Sequence, residues 1–438
     1  MRVTLLLCAL VLAAAPVLAD TIVVDVDGTG DFTQIKPAVD ASSVGDTVLV
    51  LPGFYSGEGN RSIDFEGKDI VLRSRDGRES TVIDPYSAFY AVFNFDSGET
   101  RAAVLEGFTI QGAVQNALIC DGASPTIRAC RFCYCQTNNW SQMHTRNCAV
   151  GGAKYSSILI EDCLFDHNTA EGAVSTIFVY YCSGATIRGC TFSQNVEVNG
   201  SLYDDPSGVI TFWDSVNTQI ENCRFVNNEE RSSCVSVAGN SGASIVDCTF
   251  EGNSATSSSP EGIIHVSTSS FAVVLGCTFS GNPSLDSCVS VDGPHYCRID
   301  GCTFVDNGHS QSGDANAVIR IGPASAWDVI LTNSVFAFNE CPVPIACEVP
   351  LAAISSCCFA ETGDPGGTCE PYDPETLVFA DPLFCDREGG DYSLCANSPC
   401  LPGNNPWGVT IGAYGEGCAS CDSPVEATSW GAIKAMFR

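Results

Sequence analysis

The sequence is poor in basic side chains. Its 438 residues contain 20 lysines and arginines against 51 aspartates and glutamates, which gives a formal net charge of -31. The lysines are few: Lys36, Lys68, Lys154 and Lys434. Because nucleic-acid phosphates are bound by clustered Lys and Arg, this balance excludes nucleic acid as a partner. An anionic glycan would need a local basic patch or a bridging Ca²⁺ ion.

Long apolar runs are also missing after the N-terminus. No later stretch reaches the roughly 20 apolar residues that a membrane-spanning helix needs, so we expect no membrane span. The N-terminus has Arg2, then an apolar run from Val3 to Leu18, and ends in Val17-Leu18-Ala19. This pattern predicts a signal peptide cleaved after Ala19, and hence a secreted, extracellular or cell-surface protein.

The cysteines, 26 in all, fall into two main groups. One group recurs at a single position of the repeat described below: Cys130, Cys163, Cys190, Cys223, Cys248, Cys277, Cys302 and Cys357. We expect these thiols to be buried packing groups, with a metal or redox ladder as the alternative. The other group crowds the C-terminal part: Cys341, Cys347, Cys358, Cys369, Cys385, Cys395, Cys400, Cys418 and Cys421. Export permits disulfides there, while the spacing of Cys418 and Cys421 leaves zinc open.

A nine-residue phrase recurs along the chain. It reads Ile-Glu-Asp-Cys-Leu-Phe-Asp-His-Asn from Ile160 to Asn168, and later copies keep Ile or Val, Cys, Phe and Asn in place. Its phenylalanines follow one another at intervals of about 28 residues: Phe132, Phe165, Phe192, Phe225, Phe250, Phe279, Phe304, Phe336 and Phe359. A repeat of this length predicts a solenoid.

A second apolar pattern, of period two, lies between the copies, as in Ile177-Phe-Val179 and Val289-Ser-Val291. Alternation predicts strands, so each repeat holds two or three short strands and forms one rung of a parallel β-helix. The Ile, Cys and Phe rows should face inward. The Asn row should lie at a turn, where Asn tolerates left-handed backbone and bonds its stacked neighbours. An outward row of alternating charge predicts a weak surface ladder: Arg128, Glu161, Arg188 and Glu221.

Both ends of a solenoid must be covered, because an open rung exposes core and strand edge. From Asp31 to Ala41, apolar residues at helical spacing predict a lid helix with Asp31 or Thr33 as its N-cap. The expected organisation is a signal peptide at 1–19, a cap and first rungs at 20–100, repeats at 101–362, a Cys-rich closing segment at 363–421 and a tail at 422–438.

Several phrases resemble a known family. The opening from Val24 to Ile35, followed by Gly45-Asp-Thr47, resembles the N-terminal phrase of pectin methylesterases and the wider pectate-lyase-like superfamily. The repeats resemble those of secreted bacterial right-handed parallel β-helix proteins. This resemblance covers roughly residues 21–421 and implies an all-β fold: a single-stranded right-handed parallel β-helix with an N-terminal capping helix and a Cys-rich C-terminal closing segment.

The catalytic motifs of that superfamily are not matched. The sequence has no Gly-His-Gly of the polygalacturonases, and Arg298-Ile299 is followed by Asp300 where those enzymes have Lys. The Arg-Pro-Trp phrase of the methylesterases and the Ca²⁺-binding carboxylate motif of the pectate lyases are also not found. The resemblance is therefore specific for the fold and assigns no catalytic residue.

Enzymes with a similar fold bind ligands along the outer face of one parallel sheet. Here that face is predicted to be formed by the Val-x-Val strands, with these ligand-binding candidates: Phe178, Tyr180, Trp213, His265, Asp292 and Arg320. We expect Tyr180 and Trp213 on adjacent rungs, as a flat surface on which sugar rings stack. Acidic loop residues are weak Ca²⁺ candidates: Asp204, Asp205, Glu229 and Glu230. The alternative is that the aromatics cover neighbouring loops and the acidic loops are merely solvated.

Three functions remain open from the sequence. The first is a secreted or cell-surface protein that binds a polysaccharide or another surface component without turnover. The second is a polysaccharide lyase or glycoside hydrolase that acts along the same face through the acidic loops, with Ca²⁺ as the one cofactor considered. The third is a structural spacer or adhesin of the cell envelope.

Overall fold

A computed structural model gives the structure of most of the chain. It describes residues 19–86, 91–114, 116–137, 149–171, 175–198, 208–230, 233–255, 262–267, 269–283, 287–293, 296–308, 317–323, 329–341, 343–349, 353–362, 369 and 373–421. The predicted signal peptide, except Ala19, lies outside these residues, as do the C-terminal tail at 422–438 and the Ca²⁺ candidates Asp204 and Asp205.

Parallel strands stack into three long sheets. Each strand pairs in register with its counterparts one rung before and one rung after, as Ile187 does with Ile160 and Ile220. In the described residues the first sheet has 13 strands: Thr21–Val24, Thr47–Val50, Val71–Ser74, Val104–Glu106, Thr126–Arg128, Leu159–Glu161, Thr186–Arg188, Thr218–Glu221, Gly242–Val246, Phe271–Leu275, Tyr296–Asp300, Val329–Thr332 and Ala353–Ser355. This confirms the predicted parallel β-helix.

The second and third sheets complete each rung. The second sheet contains Ile63–Asp64, Phe93–Phe95, Leu118–Asp121, Val150–Lys154, Ile177–Tyr180, Gly208–Trp213, Ser233–Ala238, Ile264–Ser267, Val289–Asp292, Ala317–Ile321 and Val343–Cys347. The third contains Gly53–Ser56, Thr81–Asp84, Thr109–Gln111, Arg131–Cys133, Leu164–Asp166, Thr191–Ser193, Arg224–Val226, Thr249–Glu251, Thr278–Ser280, Thr303–Val305, Val335–Ala337, Cys357–Ala360 and Leu377–Val378.

Two smaller sheets and three short helical segments make up the remaining elements of the described chain. A fourth, narrow sheet contains Gln136–Thr137, Thr169–Glu171, Val196–Val198, Glu229–Glu230 and Ser254–Ala255. A fifth contains Phe384–Asp386, Asp391–Cys395 and Glu416–Cys418. The helical segments are the α-helix Ile35–Ala41 and the 3₁₀ turns Glu58–Asn60 and Pro374–Thr376.

The phenylalanine row forms a continuous inward stack. Successive rings from Phe132 to Phe359 lie 4.7 to 5.0 Å apart between centroids, with interplanar angles of 6° to 11°. These side chains are buried. Burial stabilises the fold by roughly 1.5 to 3 kcal/mol for each ring, so this stack is a large part of the core.

The cysteine row also faces inward, as predicted. All eight members are buried free thiols. They lie close to backbone carbonyls of neighbouring rungs, as Cys163 Sγ does to Ile127 O at 3.7 Å. Ser334 takes the corresponding position between Cys302 and Cys357, where its Oγ accepts a hydrogen bond from Cys302 N. The row is a set of small buried packing groups.

The asparagine row is a buried hydrogen-bond ladder. At each step the side-chain amide donates to the next asparagine and to a phenylalanine carbonyl, as Asn228 Nδ2 does to Asn253 Oδ1 at 2.9 Å and to Phe192 O at 3.0 Å. The bonding between stacked neighbours was predicted correctly. The left-handed backbone lies one residue earlier, for example at Gln194 (φ 53°) and Asn227 (φ 52°). The chain therefore changes direction at the residue before each asparagine, and the asparagine side chain stays inside the solenoid.

The outward charge row forms only in part. Arg188 pairs with Glu161 at 2.6 Å, as predicted. Arg128 instead pairs with Glu106 on the preceding rung, at 2.8 Å. Both neighbours of Arg128 in the sheet are glutamates, Glu106 and Glu161, and Glu161 is already bonded to Arg188.

The predicted lid helix forms, but later than expected. It begins at Ile35 after Gln34, and neither Asp31 nor Thr33 caps it. Asn60 supplies the cap from another segment, since its Oδ1 accepts a hydrogen bond from Ile35 N at 2.9 Å. Asp31 is used elsewhere, because its carboxylate accepts from Val23 N at 2.8 Å.

The Cys-rich segment does more than close the far end. Leu377–Val378 adds a strand to the third sheet after Cys357–Ala360, as a closing segment should. Residues 381–421, the C-terminal module, then fold back along the outer face of that sheet. Tyr414 OH accepts from Thr278 Oγ1 at 2.9 Å, and the Arg387 guanidinium lies 3.7 Å from the Phe338 ring centroid. The module therefore occupies this face over its last rungs.

Candidate functional site

The second sheet aligns the predicted candidates in register. Phe178 lies opposite Thr211 and Tyr180 opposite Trp213, so Tyr180 and Trp213 stand on adjacent rungs as expected. Further along, His265 pairs with Ser290, and Ser290 with Arg320. The outer face of the second sheet thus carries two rows of outward side chains.

The first of these rows is buried. Phe178 is 5% exposed and His265 8%, while Thr211, Ser236 and Ser290 are at 0%. One covering contact comes from the segment entering the strand, where Ser175 Oγ lies 2.6 Å from Thr211 Oγ1. The prediction that Phe178 and His265 are accessible to a ligand was wrong. Alternation along a strand shows that a side chain points out of the solenoid, but it does not show whether another segment covers that side chain.

A tyrosine cluster lies where two neighbouring second-sheet strands end, and it contains Tyr180 of the second row together with Tyr155 and Tyr181. Tyr155 is 64% exposed and Tyr181 41%. Their rings stack at 5.8 Å with an interplanar angle of 9°, and the Tyr180 ring lies 4.0 Å from that of Tyr181. Hydrogen bonding to Tyr181 raises the pKa of Tyr180 to about 12. The Tyr180 ring is tilted by 39° against that of Tyr181, so the three rings do not form one flat surface.

Tyr155 and Tyr181 were missed in the sequence because they lie just past the strands. Each follows the last residue of a second-sheet strand and has a left-handed backbone, with φ of 53° and 51°. Such a residue breaks the alternation from which outward positions were counted. A usable signal was present, since in both repeats an aromatic or cationic residue at the strand end is followed by a tyrosine, as in Lys154-Tyr155 and Tyr180-Tyr181. Lys154 Nζ lies 5.1 Å from the Tyr155 ring centroid, within cation-π range.

Farther along the same face lies a charged cluster around Asp292. Arg320 donates to Asp292 Oδ2 at 2.9 Å and to Glu348 Oε1 at 2.9 Å. Ser290 Oγ donates to the same Asp292 oxygen at 3.2 Å, and His265 Nε2 lies 3.7 Å from it. A Cβ at position 322 would overlap the Asp292 carboxylate, so Gly322 leaves room for that side chain in its present position. The sequence had placed His265, Asp292 and Arg320 on this face, and the structure brings them together with Glu348.

This cluster holds Asp292 ionised. Burial opposes ionisation, but His265, whose Nε2 lies 3.7 Å away, and the charge of Arg320 outweigh it and lower the pKa of Asp292. The Asp292 side chain is 28% exposed, whereas those of His265 and Arg320 are 10% and 12% exposed. Asp292 is therefore the one of the three that a ligand on this face contacts most readily.

Of the four acidic Ca²⁺ candidates, the structure describes Glu229 and Glu230, and these two do not form a site. Glu229 and Glu230 are neighbours on one strand and point to opposite sides, so Glu229 is exposed and Glu230 only 3% exposed. Burial, followed by the charge of Glu197 on the adjacent rung, raises the pKa of Glu230 well above its usual value. The prediction of Glu230 as a solvent-facing ligand was wrong. Within the described ranges no trio of acidic side chains converges.

Six of the nine C-terminal cysteines form three disulfides, and Cys341, Cys358 and Cys400 are free thiols. Cys418 is bonded to Cys385 and Cys421 to Cys395, while Cys347 is bonded to Cys369. Sulfurs of Cys385, Cys395 and Cys418 lie close together. Because all three belong to disulfides, they offer no thiolates for zinc, and the disulfide interpretation of Cys418-Ala-Ser-Cys421 is confirmed.

Across the part of the chain that is described, no helix has both the length and the apolar character needed to cross a membrane.

Comparison with known proteins bears on the fold. Residues 92–271 match the family model described as a right handed beta helix region. No curated protein matches the sequence. Two similar solved structures are ORF18 of Geobacillus virus E2 (14% identity, TM-score 0.41, covering 71% of this chain and 55% of that one) and the A-module of Azotobacter vinelandii mannuronan C-5 epimerase AlgE6 (12%, 0.46, 80% and 95%). A third is the pectate lyase Pel9A (14%, 0.35, 91% and 96%).

These structural likenesses are distant, and this chain spans little more than half the length of the viral protein. They assign no activity. The family match and the three stacked parallel sheets agree on the architecture. This chain is a right-handed parallel β-helix protein.

Proposed function

We propose that the chain is a secreted protein that binds an uncharged polysaccharide along the outer face of its second sheet. The observation that carries this proposal is the tyrosine cluster at Tyr155, Tyr180 and Tyr181. Large aromatic side chains left exposed together mark an interaction surface, because single scattered aromatics are the normal case on a soluble protein.

The chemistry of the cluster suits a sugar. Tyrosine offers an apolar ring and a hydroxyl that donates and accepts hydrogen bonds, and it loses little conformational entropy on binding. Sugar rings likewise combine apolar C–H faces with hydroxyls. The rungs repeat every ~4.8 Å along the axis, so a linear polymer lying on this face meets equivalent positions at regular intervals.

The electrostatics favour an uncharged polymer. The formal charge of -31 repels polyanions. Arg320 is the basic side chain of the charged cluster, and Asp292 and Glu348 both pair with it, which leaves no net positive patch there. Lys154 is the cation next to the tyrosines. One lysine does not provide the clustered positive charge that an anionic glycan requires.

A glycan array followed by calorimetric titration of each hit tests the proposal. We expect the double substitution Tyr155→Ala and Tyr181→Ala to weaken binding by about tenfold for each ring removed. Tyr134→Ala is the matched control, because Tyr134 is 54% exposed and also left-handed but lies on the third sheet. Equal loss in both proteins, or an array without hits, would rule the proposal out.

A second candidate function, hydrolysis or β-elimination of a polysaccharide, is favoured by Asp292. Its carboxylate is ionised and partly exposed, which suits a nucleophile or a group that stabilises positive charge at the reacting sugar. His265 is a poorer candidate because its Nε2 faces Asp292 and its Nδ1 is buried. Reducing-end and unsaturated-product assays on a polysaccharide panel, with and without Ca²⁺, test this function. Product formed by the wild type and lost in Asp292→Asn, with binding retained, would establish it.

A further inference from the structure

Two disulfides lie against each other in the C-terminal module. Cys385 is bonded to Cys418, and Cys395 is bonded to Cys421. The Sγ atoms of Cys395 and Cys418 belong to different bonds, yet they lie only 3.6 Å apart. The sulfurs of Cys385, Cys395 and Cys418 all lie within 4.8 Å of one another. A sulfur of each bond is therefore in contact with a sulfur of the other.

The fifth sheet creates this contact. Cys395 ends the strand Asp391–Cys395, Cys418 ends the strand Glu416–Cys418, and the two residues lie opposite each other in the parallel ladder. Paired strands lie about 4.8 Å apart. A disulfide accepts a Cα–Cα separation of roughly 4.4 to 6.8 Å. The backbone of the module is thus compatible with a bond between Cys395 and Cys418 as well as with the two bonds that it holds.

The four sulfurs differ in their access to solvent. Cys385, Cys418 and Cys421 are partly exposed, whereas Cys395 is 0% exposed. A reductant in solution therefore attacks the first three and does not reach Cys395. When it opens the bond at Cys421, it releases Cys395 as a thiol that already lies against Cys418. Attack by this thiol is intramolecular, so it has the advantage of proximity over any thiol in solution.

We propose that these four cysteines form a redox-sensitive exchange pair, in which reduction of either bond leads to a Cys395–Cys418 disulfide. After reduction of Cys395–Cys421, the Cys395 thiol loses its proton and attacks Cys418 Sγ. The bond from Cys418 to Cys385 breaks, and Cys385 leaves as a thiolate that takes up a proton. After reduction of Cys385–Cys418, Cys418 attacks Cys395 in the same way and Cys421 leaves. The exchange step is redox-neutral, because the reductant has already supplied the two electrons.

Both routes end in the same state of the module. The remaining bond joins two neighbouring strands of the fifth sheet, so the module stays cross-linked, while Cys385 and Cys421 become free thiols. Cys421 directly precedes the C-terminal tail and is partly exposed, so it is open to a mixed disulfide with the thiol of another molecule. Mild reduction thus turns a closed module into one that presents a reactive thiol. This inference does not depend on glycan binding.

The variant Cys421→Ser tests the exchange without any reductant, because it leaves Cys395 as a thiol beside the bond between Cys385 and Cys418. The native full chain is held at about pH 8 and then acidified, which stops exchange by protonating thiolates. Free thiols are alkylated in acid, and peptides are mapped without reduction. We expect Cys395–Cys418, with alkylated Cys385, in at least about a tenth of the molecules. Recovery of Cys385–Cys418 alone, with Cys395 fully alkylated, would overturn the proposal.

Cys369→Ser is the matched control. It frees Cys347 from the third disulfide, on the strand Val343–Cys347 of the second sheet and outside the module. We expect Cys347 to be alkylated and both module bonds to stay intact. Bonds from Cys347 to module cysteines, at yields like those of Cys395–Cys418 in the other variant, would show that exchange follows unfolding instead of the sulfur contact, and would count against the proposal.

A measurement on the wild type covers the case in which Cys421→Ser fails to fold. One equivalent of a water-soluble phosphine reduces a disulfide to two thiols and is itself oxidised to the phosphine oxide, and the protein is then acidified, alkylated and mapped as before. Among molecules whose module has lost one bond, we expect Cys395–Cys418, with alkylated Cys385 and Cys421, in at least about a tenth. Molecules that retain only one or the other original bond would contradict the exchange.

Discussion

Asn228→Ala should be among the most damaging single substitutions in the solenoid. The Asn228 side chain takes part in four hydrogen bonds. Its Oδ1 accepts from Asn195 N at 3.1 Å and from Asn195 Nδ2 at 2.9 Å, and its Nδ2 donates to Phe192 O and to Asn253 Oδ1. Alanine removes all four and leaves two buried N–H donors of Asn195 without this acceptor.

The cost follows from burial. A buried polar group that loses its partner costs about 1 to 3 kcal/mol, so two stranded donors predict a loss of about 2 to 6 kcal/mol. The matched control is Asn240→Ala. Asn240 is exposed and bonds the partly exposed Asp214, so its loss should cost about 0.5 kcal/mol or less. Thermal and urea unfolding, followed by circular dichroism, measure both. Similar midpoints for the two variants would refute the claim that the ladder holds the rungs together.

Three further predictions address other parts of the molecule. Glu230→Gln should be more stable than wild type above pH ~4.5 and equally stable below it, because the raised pKa of Glu230 makes wild-type stability fall as pH rises. The stability difference should grow by at most ~1.4 kcal/mol per pH unit. Parallel melting profiles of the two proteins from pH 4 to 8 would contradict this. Arg320→Met should lower the free energy of unfolding by about 1 to 3 kcal/mol at pH 7. This loss should shrink below pH ~4, as Asp292 is protonated in both proteins. A loss that is independent of pH would show that Asp292 is not its cause. Phe250→Ala should cost about 3 to 5 kcal/mol by opening a cavity in the ring stack, and a loss under ~1 kcal/mol would mean that the stack collapses around it.

The solenoid could be predicted because its signals repeat. One phenylalanine alone says little, but nine at similar spacing report a stack, and the register of Phe165 on Phe192 follows directly. The pairing of Tyr180 with Trp213 could be predicted as well, because both lie the same number of residues before the conserved isoleucine of their repeats. Repetition supplies long-range contacts that a single sequence otherwise conceals.

The rest depended on contacts that do not repeat. Asn60, distant in sequence, caps the lid helix in place of Asp31 or Thr33. Segments passing over the second sheet bury Phe178 and His265, although both occupy outward positions of their strands. The C-terminal module folds back onto the third sheet through particular pairs such as Arg387 with Asp306. Periodicity carries no information about such irregular contacts, and these decide which part of a regular face remains open to a ligand.

Tyrosine nitration in the presence and absence of a bound oligosaccharide tests whether the tyrosine cluster forms the binding face. Tyr155, Tyr181 and Tyr134 are all exposed in the free protein. The nitration rate of each therefore measures whether ligand covers the sheet beside it. We expect ligand to slow nitration of Tyr155 and Tyr181 by at least about tenfold, as for a site saturated with ligand, and to leave nitration of Tyr134 unchanged. Protection of Tyr134, or unchanged rates at Tyr155 and Tyr181, would contradict a binding face on the second sheet.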